Sequence, residues 1–160
     1  MRTAGETVVF HNILVGVDGS AHSRRAVQEA ADIARSENAE LTLISAYNSL
    51  LPWPAMMPVG LSQDTVDEFV ETARDVARGA VEEAAKLVPD GVPVQKLTID
   101  CPPADAILDQ TREGRYDLVV VGSRGRGDVA SILLGSVSHR VVHESRVPVL
   151  VVHVTGEPAS

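Results

Sequence analysis

The sequence predicts a doubly wound α/β domain built on a parallel sheet, and three observations carry that expectation. Short, largely apolar runs such as ILVGV (13–17) and YDLVVVG (116–122) suit strands buried on both faces. Segments with helical apolar spacing stand between them. The two kinds alternate five times, the pattern of β-α units in a parallel sheet. No internal repeat or linker interrupts residues 1–160, so the chain reads as a single domain with ragged ends at about 1–9 and 155–160.

The first strand, ILVGV, runs into DGSAHS, a turn that ends in helix-capping residue types. From Ala26 the apolar positions 26, 27, 30, 33 and 34 give a helix. ELTLISA at 40–46 returns to a strand. Residues 47–63, YNSLLPWPAMMPVGLSQ, hold three prolines and no clean period, and read as a loop or flap. Its Trp53, Met56 and Met57 are expected to cap the core; lining a ligand mouth is the alternative.

Residues 64–88 carry the clearest helix, with Val66, Phe69, Val70, Ala73, Ala77, Ala80, Val81, Ala84 and Leu87 on one stripe. Its acidic face reads as solvated surface. A strand follows at 92–99, where Pro93 and Lys96 are typical of a sheet edge. Pro102 and Pro103 open a helix to about Arg112, closed by Gly114. After YDLVVVG, the spacing of 137, 141 and 142 predicts the last helix, and PVLVVHV (148–154) the last strand.

Composition narrows the function. At 160 residues and 44% hydrophobic, the chain can bury roughly two-thirds of its unfolded surface without cross-links. The lone Cys101 rules out an internal disulfide framework and suits a reducing compartment. No apolar run approaches the roughly 20 residues of a membrane span, and the start MRTAGETVVFHN has no signal pattern. The expectation is a soluble, cytoplasmic protein with no membrane partner. A net charge of −8 and only 3% aromatic residues argue against nucleic acid as a partner.

The chemistry concentrates at two strand ends, VDGS (17–20) and GSRGRG (122–127). In an open parallel sheet, ligands bind beyond the carboxyl ends of the strands. Gly122 and Gly125 would let backbone N–H groups face an anion closely. Gly135, Ser136 and Ser138 stand at the start of the last helix, whose first amides are unpaired and whose dipole end is positive. Arg124 and Arg126 add positive charge to the same loop. A simpler reading is that the glycines only build a loop and Ser136 only caps a helix.

Spacing favours the site. Gly122-x-x-Gly125, nine residues, then Gly135-Ser136 resembles the nucleotide-binding signature of the universal stress protein family. ILVGVDGS and LLGSVSHRVVHESRVPVLVVH resemble its first and last units, and the likeness covers about 11–153. The resemblance implies a flavodoxin-like sheet of order 3-2-1-4-5 that binds ATP or another adenine nucleotide, with Mg2+ as an optional companion. Asp18 would then meet the adenosine part and the backbone near Ala46 the adenine. Val121, Gly122, Arg124 and Gly125 would line the ribose and phosphates, and Gly135, Ser136, Val137 and Ser138 would hold the phosphates. Cys101 departs from the family pattern, standing where many relatives have glycine before a proline.

Other motifs carry less. GRGDVA (125–130) fits a dinucleotide fingerprint but follows the fourth strand and lacks the later acidic residue. HRVVH (139–143) has zinc spacing but no glutamate and no third ligand nearby, so it reads as a solvated or dimer-facing pair, and no metal site is assigned. No P-loop and no nucleophile elbow exist. Cys101 reads as a small apolar filler rather than a nucleophile. The expected function is a stress-response protein that senses or regulates through nucleotide occupancy and a homodimer made by the last strand (148–154), with no catalytic residue assigned. Two alternatives stand beside it. One is a hydrolysing or adenylating enzyme of the related adenine-nucleotide α-hydrolase type, whose Ser-Gly-Gly-x-Asp-Ser loop is here VDGSAHS; the other is a nucleotide-free scaffold.

Overall fold

The computed structural model describes residues 9–49, 62–126 and 134–154. Trp53, Met56, Met57, Gly127 and Asp128 lie outside them, as do the chain ends. The described chain runs β1 (Asn12–Gly16), α1 (Ala21–Glu37), β2 (Glu40–Tyr47), α2 (Gln63–Ala85), β3 (Val94–Asp100), α3 (Pro103–Arg112), β4 (Leu118–Gly122), α4 (Ser136–Glu144) and β5 (Val149–Val152). All five strands are parallel, in the order β3-β2-β1-β4-β5. This is the doubly wound α/β sheet that the alternation of apolar runs and helical stripes predicted.

Residues in the strands alternate between two cores. Ile13, Val15, Leu41, Leu43 and Val120 pack with Ala26, Val27, Ala30, Val81 and Ala84 from α1 and α2. Leu14, Ile44, Val119 and Val121 pack on the other face with Ala106, Ile107 and Val141 from α3 and α4. Because both faces are covered, the central strands read as continuous apolar runs rather than as alternating ones. Each Leu, Ile or Val so buried contributes roughly 1.5–3 kcal/mol before chain entropy is counted.

Element ends differ from the sequence expectation for local reasons. Helix α1 begins at Ala21, five residues before its apolar period becomes visible. The Ser20 side chain accepts from Ser23 N at 3.1 Å, and the Asp18 carboxylate accepts from Ser20 N at 2.9 Å. Capping therefore starts the helix in a polar turn that periodicity cannot register. Asn38 ends it in the left-handed region, φ 56°, with its N–H on Ala34 O.

The long stripe of α2 divides in two. Ala77, Val81 and Ala84 are buried against the sheet, whereas Phe69 is 45% exposed. Strand β3 is the edge that Pro93 and Lys96 implied, and Lys96 Nζ pairs with Glu82 of α2 at 2.8 Å. The strand spans 94–100 rather than 92–99, and β5 is the shorter 149–152.

Candidate functional site

A cleft of ≈ 270 Å³ opens at the carboxyl ends of β1, β2 and β4. Its position follows from the strand order. From β1 the chain turns outward to β2 and β3, then returns to place β4 on the other side of β1. The loops after β1 and β4 diverge there and leave a crevice. Asp18, Ala46, Val121, Gly122, Arg124, Gly125, Gly135, Ser136, Val137 and Ser138, the ten residues singled out from the sequence, all line this one cleft.

On one side lies the start of α4. Gly135 N donates to Ser123 O at 2.7 Å, which seats the helix against the end of β4. Gly135 is the N-cap residue and has no side chain to accept from the first-turn amides. The positive end of α4 therefore faces the cleft uncapped, beside Arg124 and Gly125. Ser136 is exposed at its mouth.

Across from it, Asp18 ties two loops together. One carboxylate oxygen accepts from Ser20 N and the other from Arg126 N, at 2.9 and 3.0 Å. Gly19, at φ 81°, supplies the left-handed turn that brings Ser20 back to that oxygen. Arg126 is thus tied to Asp18 through its backbone N–H.

An apolar wall completes the cleft: Ile44, Pro103, Ala106, Ile107 and Val121. Sequence reasoning missed all of these except Val121, because Ile44, Ala106 and Ile107 obey the same periodicity as the core they belong to. The signal that could have found them is positional, since each lies at a strand end or in the first turns of α3, where the crevice must be.

Two of these residues also serve the fold. Gly122 is required by the chain itself: a Cβ there would lie 2.8 Å from the backbone carbon and the Cβ of His22 in the first turn of α1. What comes close to this glycine is a helix. Ser138 is buried and its hydroxyl donates to Gly122 O at 2.5 Å, so that hydroxyl is committed to the fold rather than held out to a ligand.

Cys101 is half-buried against the second core, and burial, followed by the carboxylates of Asp105, Asp109 and Asp100, pushes its thiol above the usual range. This suits a filler and not a thiolate nucleophile. Its N–H donates to Tyr47 O at 2.8 Å, continuing the β2–β3 pairing beyond the strand.

The model of the universal stress protein family matches residues 10–153. The chain belongs to that family. Among curated relatives, a universal stress protein of Bacillus subtilis is 31% identical over 150 residues, covering 90% of this chain and 99% of the relative. One from Thermus aquaticus is 35% identical over 145 residues, with the same shares covered. Among solved structures, a universal stress protein in complex with cAMP superposes with a TM-score of 0.61 at 30% identity, over 91% of this chain and 98% of that one. A family protein from Arabidopsis thaliana with AMP bound gives a TM-score of 0.63 at 18% identity, over 94% and 95%, a likeness of fold alone.

Proposed function

We propose that the cleft of this universal stress protein holds an adenine nucleotide and that the protein acts through occupancy of the cleft rather than by turnover. The observation that carries this is the meeting, in one crevice, of an uncapped helix start, an arginine-bearing glycine loop and an apolar wall. The purine would lie against Ile44, Ala46 and Ile107, with Asp18 toward the adenosine. The phosphate would take the amides of α4 and the charge of the 122–126 loop. The family member with cAMP, 30% identical, supports an adenine monophosphate at least; ATP, with or without Mg2+, is the finer reading.

Backbone amides and one helix end suit micromolar affinity, about −8 kcal/mol. Calorimetry with AMP, cAMP, ATP and ATP with Mg2+ tests this, together with mass spectrometry of nucleotide released on denaturation. The decisive variant is Ser136→Glu. A carboxylate in the first turn favours the helix dipole but repels phosphate, so the fold stays intact while affinity falls by about tenfold or more, about 1.4 kcal/mol. Unchanged affinity for every adenine nucleotide would sink the proposal.

The enzyme reading is disfavoured by Asp18. Both of its oxygens accept from backbone amides, so it is a poor general base, and losing a base forfeits roughly 10²–10⁴ in rate. Single-turnover chase of labelled ATP on nucleotide-stripped protein is expected to show turnover far below the roughly 10 s⁻¹ of a median enzyme. Turnover near one per second, abolished by Asp18→Ala with binding retained, would reverse the order of the two readings.

A further inference from the structure

We propose that His139 and His143, on the outward face of α4, form a two-imidazole site for a divalent first-row transition ion. The two residues are one helical turn apart, so their side chains rise from the same face. Their ring centroids lie 4.4 Å apart with planes tilted by 50°, and both residues are exposed. The sequence spacing alone reads as a solvated pair; the ring approach is what distinguishes them.

The cation next to His139 in the chain is already paired. Arg140 is turned toward α3, where it pairs with Asp105 at 2.6 Å, and it also holds Glu144 at 2.9 Å. Its charge is thus balanced on the flank of the helix away from the histidines. The opposite flank presents Val142, 43% exposed and uncharged. No third His, Cys, Asp or Glu joins the pair among the described residues. The bound ion would therefore take two imidazole nitrogens and keep its remaining positions for water. Imidazole suits Cu2+, Ni2+ and Zn2+, and affinity at such a site follows Ni2+ < Cu2+ > Zn2+.

The test is calorimetric titration of tag-free protein with Cu2+, Ni2+ and Zn2+. The expected result is one ion per chain, Cu2+ tightest. Loss of mere second-shell partners costs roughly 10–100-fold in metal affinity, so His139→Gln or His143→Gln is expected to weaken binding by at least about tenfold. His11→Gln, far from the pair in the chain, is expected to leave it unchanged. Paramagnetic broadening by Cu2+ on the unaltered protein gives a readout without substitution, and amides around 139–143 should broaden first. Binding that survives His139→Gln/His143→Gln, or broadening centred on another histidine, would overturn the site.

Discussion

Ser136 and Ser138 stand two positions apart at the start of one helix, yet the fold gives them opposite duties. The Ser138 hydroxyl serves a buried carbonyl, Gly122 O, while Ser136 is exposed at the cleft mouth. Ser138→Ala should therefore cost stability, about 1–3 kcal/mol for a buried acceptor left unpaired, as read by urea unfolding. Ser136→Ala should leave the urea midpoint unchanged and act on nucleotide binding only; equal midpoints for the two variants would refute this division. Gly122 belongs with Ser138. A methyl group there meets the His22 backbone, which cannot rotate away, so Gly122→Ala is expected to destabilise by about 1–3 kcal/mol. Impaired nucleotide binding in that variant would report a displaced α1, not a blocked phosphate. Sequence spacing identified these residues as belonging together. It could not say which of them face outward, because a glycine that admits a ligand and one that admits a helix look the same in a sequence.

At the scale of elements, α3 and α4 are joined across their surface by Asp105, Arg140 and Glu144. The hydrogen bond from Arg140 holds the Asp105 carboxyl below its usual range. Its folded pKa is lower than the unfolded value of about 3.9. The pair therefore adds stability above that pH and loses it as pH falls through the depressed folded value. Thermal unfolding of the wild type and Arg140→Ala should differ near neutral pH and converge toward pH 3; a gap that widens in acid would contradict the pairing. Asp100 is lowered the same way, chiefly by the Ser49 hydroxyl and then by its N–H, and stays acid-sensitive in both proteins. Neither pair was visible beforehand, since a salt bridge between helices depends on a packing angle that periodicity does not encode. The elements themselves were visible because buried strands and amphipathic helices impose different periods. Their ends were less so, as α1 shows: the Ser20 cap acts through hydrogen bonds in a stretch with no apolar period.

For the whole molecule, the edges of the sheet matter most. Strand β3 is guarded by Pro93 and by Lys96 with its Glu82 partner, whereas β5 is the apolar run Val149, Leu150 and Val151, partly buried on the two cores, with Pro148 as its guard among the described residues. An apolar edge of this kind invites pairing with its own copy about a two-fold axis. We expect a homodimer through 148–154, seen by ultracentrifugation at tens of micromolar protein; a monomer under those conditions would remove this reading.

The strand order also sets a timetable. Strand β1 is the first strand of the described chain, yet it ends at the centre of the sheet, hydrogen-bonded on one edge to β2 and on the other to β4. About 100 residues separate Gly16 from Leu118, and a ribosome adding roughly 5–20 residues per second takes several seconds to cross that gap. During that interval the nascent chain carries a strand of fully buried type, Ile13-Leu14-Val15, with one side unpaired. The central strand is thus enclosed only once β4 has emerged, and a chain halted before residue 118 would leave that apolar edge of β1 unpaired.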